Sequence, residues 1–223
     1  MRGNAAVPKV FVLLGRSGAG KTETGSFIGR KTGLPVLELA NVIRKKSAQR
    51  DPLALEASGF INRGRYFPES YSRHFILEEI KTNPAKYANG FILDGFPRTL
   101  EAARGFEKFL GQNGFVLGGV LHYQIPRELS FRRQRERRRE PEESLESRER
   151  EYVNREMEVI RFFRSRGLVK TVVSQTVKQK RPSDQATDLT HEPLLRHHAA
   201  QAAKMIRNWQ GVKMRGKNAG KRK

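Results

Sequence analysis

The chain has 223 residues, no cysteine and a formal net charge of +21, from 44 Lys+Arg against 23 Asp+Glu. That length suits one sizeable domain with a real core, and the missing thiols exclude a disulfide framework and thiolate metal sites and suit a reducing, cytoplasmic compartment. No apolar run reaches the roughly 18 residues of a membrane span and "MRGNAAVPK" lacks a signal peptide's apolar stretch, whereas so large a positive field attracts polyanions such as nucleotides and nucleic acid.

The first element is "KVFVLLG" (9–15), a nearly continuous apolar run of strand length that predicts a strand covered on both faces. Shorter runs recur at "LPVLEL", "FILD", "GGVLHYQI" and "GLVKTVV", and segments of helical period separate them. One helix is expected from the end of the glycine-rich turn to Gly33, another after Pro68 with Phe75, Ile76 and Ile80, and a third from Thr99 through Phe106 and Leu110 to Gly111. A long helix is expected over about 143–166, with Val153, Met157, Ile160 and Phe163 on one face and Gly167 as its terminator. Glu146 with Arg150 and Glu151 with Arg155 are favourable pairs on its solvent side. A last helix is expected over about 192–210, with Leu194, Leu195, Ile206 and Trp209 packing back on the sheet, after a loop beginning "SQTVKQKRPSD". The basic end "KMRGKNAGKRK" (213–223) reads as a solvated, disordered tail. Strand and helix alternate, so the expectation is an α/β fold with right-handed crossovers and no internal repeat.

Directly after the first strand, Gly15 to Thr22 reads "GRSGAGKT" and satisfies the P-loop pattern at every specified position. Glycines let the backbone wrap a phosphate with its N–H groups inward, and the next helix aims its positive end at the same place. Gly15, Arg16, Ser17, Gly18, Ala19, Gly20, Lys21 and Thr22 are therefore the expected ATP-binding set, with Lys21 reaching the β- and γ-phosphates and Thr22 a ligand for Mg²⁺. "FILD" (91–94) is a strand ending in an acid, which places Asp94 beside the P-loop and toward the metal or its waters.

The stretch "DGFPR" that begins at Asp94 resembles the signature of the adenylate kinase family of nucleoside monophosphate kinases, and the resemblance covers most of residues 9–210. It implies a three-layer P-loop fold with a central five-stranded parallel sheet, a helical insert for the acceptor nucleotide (about 38–68) and a short lid (about 132–142) within a kinase domain of residues 1–212. The implied reaction is transfer of the γ-phosphoryl group of Mg-ATP to AMP, with UMP, CMP or another monophosphate as the alternative acceptor, by a cytoplasmic monomer. The resemblance assigns the acceptor phosphate to Arg98 and Arg44 and the acceptor site to Tyr66 in "GRYFP" and Gly95; at the lid it assigns Arg133 to ATP and Arg137 to catalysis, with Arg148 catalytic on the helix after it. An ATP-responsive nucleic-acid-binding protein using the basic tail is the alternative of another class.

Several positions depart from the family's pattern. Ala102 stands where a glutamine reads adenine, Glu38 to Asn41 replace the usual residues of the acceptor helix, Arg139 and Glu140 stand where paired aspartates follow the lid, and "GKTE" replaces "GKGT". The phosphate machinery is largely present, while the base-reading positions have changed. No zinc-binding lid insertion is expected, and His191, His197 and His198 read as surface or packing histidines.

Overall fold

In the computed structural model, which describes residues 7–136, 142–173 and 191–211, the longest apolar run takes the most protected place. β1 (Lys9–Gly15) is the centre of a five-stranded sheet of order β2-β3-β1-β4-β5, with β2 (Val36–Glu38), β3 (Gly90–Asp94), β4 (Val116–Gln124) and β5 (Val169–Val173). Every pairing is parallel, which demands crossover connections and covers both faces of the sheet. Alternation along β1 divides its side chains: Val10, Val12 and Leu14 enter one buried layer, and Phe11 and Leu13 the other. The first layer takes Phe106 and Leu110 from α6 (Leu100–Gln112) and Ile160 and Phe163 from α9 (Met157–Ser165). The second takes Ile28 from α1 (Lys21–Thr32) and Ala202 and Ile206 from α10 (His191–Gly211). The expected α/β fold with a five-stranded parallel sheet is the fold of the chain. Its registers, Leu13 beside Asp94 and Asp94 beside Glu38, bring three strand ends to one edge.

Between β2 and β3 lie α2 (Leu39–Ala48), α3 (Pro52–Asn62), α4 (Glu69–Thr82) and the short α5 (Pro84–Tyr87). The sequence reading had no α3, yet its start is marked: the Asp51 carboxylate accepts from the Ala54 N–H at 2.8 Å and Pro52 opens the first turn. The loop after α3 turns at Gly64, whose φ is 66° and where a Cβ would stand 2.4 Å from the Ser144 carbonyl oxygen. Only glycine lets that loop meet α8 (Glu142–Glu151) so closely. α7 (Arg127–Glu136) follows β4.

The long helix is interrupted at its centre. α8 runs into a π-helical turn, Tyr152–Glu156, before α9 continues. Ile160 and Phe163 are buried as expected, but Val153 is 46% exposed, and Tyr152 and Glu156 face inward instead. The sequence reading missed this because a periodicity search gives an acid no inward place. Glu151 does pair with Arg155 at 3.1 Å, whereas Glu146 is engaged by Arg127 at 3.0 Å rather than by Arg150. The last helix agrees with expectation to within a residue at each end, and Ile206 is buried. The side chains of Leu194, Leu195 and Trp209, the loop at 174–190 and the tail at 213–223 lie outside the described residues. Among the described residues no helix is long and apolar enough to cross a membrane.

Candidate active site

The P-loop begins where β1 leaves the sheet. Gly15 has a φ of 137°, and a Cβ there would stand 2.3 Å from the Tyr123 carbonyl oxygen, so β4 would reject any other residue. The loop is then held from two sides. Ser130 on α7 donates to the Ser17 carbonyl at 2.8 Å and Arg133 to the Gly18 carbonyl at 3.2 Å. Arg16 meets Glu149 through Nε and Nη2 at about 3.0 Å, donates to the Ile125 carbonyl, and lies 4.6 Å from the centre of the Tyr152 ring. Its side chain is thus committed to α8, to the ring of Tyr152 and to the backbone just after β4. Lys21 donates to the carbonyls of Gly15 at 2.5 Å and Arg16 at 2.9 Å, and burial lowers its pKa against the pull of Asp94.

The second group comes from the end of β3. Asp94 is buried beside Lys21 and Arg98; burial raises its carboxyl above the usual range, and the two cations oppose that rise. Arg98 departs after Gly95, Phe96 and Pro97, with a cis peptide between the last two. Its guanidinium lies over the Tyr66 ring at 5.4 Å and donates through Nη1 to Glu156. Glu156 also accepts from the Gly15 N–H at 2.5 Å and the Tyr66 hydroxyl at 2.9 Å. Burial alone would raise its carboxyl, yet Arg98, Lys21 and the Gly15 N–H outweigh burial and hold it below the ordinary value. Arg148 reaches the same place, donating to the Ile61 carbonyl at 3.1 Å and lying 3.5 Å from the Ser17 hydroxyl.

These groups border two adjoining clefts. One, of about 390 Å³, is a polar groove between the P-loop, Asp94 and α2, into which Thr22 and Arg44 also face. Arg44 is 56% exposed, held by Asn41 at 2.8 Å and 3.8 Å from Glu38. The other, of about 180 Å³, runs under Tyr66, Phe67, Leu39, Phe96 and Ala102 and is mostly apolar. Lys21, Arg98 and Arg148 border both, so anions placed in the two clefts would meet at the same three cations. Thr22 and Asp94 share the polar groove, while among the described residues no three carboxylates or imidazoles gather to hold a metal alone. That donor set fits a hard cation that arrives with phosphate oxygens.

Of the residues expected from the sequence, Lys21, Thr22, Asp94, Gly95, Arg44, Tyr66, Arg98 and Arg148 come together at the clefts. Arg133 is buried against the P-loop backbone, and Arg137 lies outside the described residues. Glu156 was missed; its one sequence signal is an acid at helical spacing from Tyr152, in a segment where acids are common.

The adenylate kinase family model matches residues 13–168. An adenylate kinase of Clostridium kluyveri is 32% identical over 128 residues, 57% of this chain and 58% of that protein. One of Corynebacterium aurimucosum is 32% identical over 140 residues, 62% of this chain and 76% of the relative, and one of Nocardia farcinica is 35% identical over 115 residues, 52% and 62%. The chain therefore spans between about three fifths and three quarters of the length of these relatives. With the matched segment running from β1 through the P-loop, the Asp94–Arg98 turn and the interrupted helix, the chain belongs to the adenylate kinase family.

Proposed function

We propose that the chain transfers the γ-phosphoryl group of Mg-ATP to a nucleoside monophosphate, with AMP the acceptor in keeping with the family. The observation that carries this reading is the junction of the two clefts at Lys21, Arg98 and Arg148. The polar groove, floored by P-loop backbone, suits a polyphosphate. The apolar cleft suits a base whose phosphate points back at Arg98 and Arg44. In that arrangement the attacking oxygen belongs to an already ionised phosphate, so no general base is required, and the cations stabilise the charge spread over the transferring group. Thr22 and Asp94 would hold the Mg²⁺, directly or through water, and the ion would neutralise charge on the phosphates during transfer. The insert at about 38–68 would carry the acceptor, and the lid at about 132–142, with Arg133 and Arg137, would cover the donor.

A second acceptor has a specific observation behind it. Ala102 and Leu39 are both buried at the lining of the apolar cleft, and neither side chain offers a polar group to a base. UMP, CMP or another nucleoside monophosphate is therefore the alternative to AMP. A coupled assay with Mg-ATP and AMP, CMP, UMP and GMP separates these readings. Turnover with AMP is expected; turnover with CMP or UMP alone moves the acceptor, and turnover with none removes the kinase reading.

A further inference from the structure

Phosphoryl transfer calls for cations at the junction of the clefts, yet the most deeply buried charged side chain there is an anion. Glu156 is shut off from solvent, and its carboxylate is shared by three segments distant in the chain. Oε1 takes the N–H of Gly15, 141 residues away; Oε2 takes the hydroxyl of Tyr66, 90 residues away, and Nη1 of Arg98, 58 residues away. Gly15 opens the P-loop, Tyr66 belongs to the loop after α3, and Arg98 follows β3. The π-helical turn ends on Glu156, and such turns are frequent at functional sites.

The exposure of the two partners shows what the carboxylate does to the arginine. Glu156 is 1% exposed and takes Nη1 of Arg98, while the Arg98 side chain is 24% exposed and lines both clefts, so the carboxylate holds the guanidinium from the buried side. An anion that competed with an incoming phosphate would have to stand on the open side and be able to leave. Glu156 does neither, because its other oxygen is fixed to the P-loop backbone.

We propose that Glu156 is a positioning residue for phosphoryl transfer: it fixes the guanidinium of Arg98 to the first residue of the P-loop and, through Tyr66, ties the acceptor-side loop to the same point. This rests on the function proposed above. A guanidinium already held in one orientation loses less freedom when it meets a phosphate. The carboxylate also compensates a cation in a place from which water is largely excluded.

A double-mutant cycle on the full chain tests the role, with AMP affinity read by calorimetry and kcat and KM read for AMP and ATP. The probe is AMP, or whichever of CMP, UMP and GMP binds the wild type more tightly. Glu156→Gln keeps the shape but replaces one accepting oxygen with an amide nitrogen, and is expected to weaken AMP binding roughly tenfold while leaving KM for ATP nearly unchanged. Glu156→Asp is expected to recover part of the loss. In an Arg98→Met background Glu156→Gln is expected to cost much less than in the wild type, because the contact with Arg98 is already gone and only the Tyr66 tie is left to weaken. Additive losses, or unchanged AMP affinity in Glu156→Gln, overturn the proposal. Should these variants fail to fold, Tyr66→Phe removes a single hydroxyl; a few-fold loss of AMP affinity without change for ATP supports the clasp, and equal changes for both overturn it. A wild type that binds a monophosphate but transfers nothing to it refutes the kinase function, while the affinity cycle still decides the role of Glu156. One that binds no monophosphate overturns both.

Discussion

The two clefts that meet at Arg98 recognise their contents by different physics. In the polar groove Lys21 is held by two carbonyls and Arg44 by Asn41, and the P-loop that floors the groove is braced by Arg16, which meets a carboxylate, a carbonyl and a ring, and by Arg133. In the apolar cleft Leu39, Phe67, Phe96 and Ala102 offer shape and little else. A phosphate is satisfied by any well-placed N–H or cation, backbone included, so its site tolerates change at individual positions. A base is told from another base by one or two polar groups, and a single substitution removes the distinction. For the function proposed above, this predicts that donor binding tolerates single changes better than acceptor choice does.

The contrast can be broken at four places. The largest effect is expected at Lys21→Ala, which should lower kcat by on the order of 10² to 10³ with an unchanged circular dichroism spectrum; near-normal turnover would remove Lys21 from the chemistry. Next is acid stability. His122 on β4 is buried, 3.1 Å from the Tyr152 hydroxyl and 3.3 Å from Arg164. Burial, followed by the Arg164 charge, lowers its pKa to about 4 from 6.5. The folded state thus keeps this histidine neutral where the unfolded state protonates it, so stability is full above pH 6.5 and falls as pH drops toward 4. The total loss is about 3 kcal/mol. Urea unfolding across that range should show the slope, and His122→Gln should flatten it. Third, Arg98→Lys keeps the charge but loses the planar fork, and should raise the acceptor KM by about 2 kcal/mol, roughly thirtyfold. An unchanged KM would mean that charge alone suffices. Smallest, Ala102→Gln should return an amide to the apolar cleft and shift preference toward AMP over CMP by about 1 kcal/mol, roughly fivefold; an unmoved ratio would place base reading elsewhere in the cleft.

What could be read from the sequence was what is local in it. The P-loop and the Asp94–Arg98 turn each complete their chemistry within a few residues, and the strand before each is an unbroken apolar run; both stand where expected. Arg16 could not be resolved that way, because the P-loop pattern leaves its side chain unspecified and three partners more than 100 residues away decide where it goes. Glu156 was hidden for a related reason. All three of its partners are remote, and it lies in a helix crowded with Glu and Arg, where one more acid reads as solvated surface. α3 was missed because its apolar residues are not confined to one face: Ala54 and Ala57 are buried and Leu53 and Ile61 pack on the core, while Leu55 is 51% exposed.

The interrupted helix also works as a gear. An α-helix spends about 3.6 residues on a turn, and a π-turn takes in one residue more, so whatever follows is rotated by roughly 100° relative to an unbroken helix. Ahead of the turn, α8 aims Glu149 at the P-loop; beyond it, α9 drives Ile160 and Phe163 into the sheet. The extra residue lets one rod face two targets that are not on one line. Shortening the segment Tyr152–Glu156 by a single residue would restore the regular helix and force a choice between seating the core and seating the clasp, so the length of this turn constrains the chain as firmly as the identity of any residue in it.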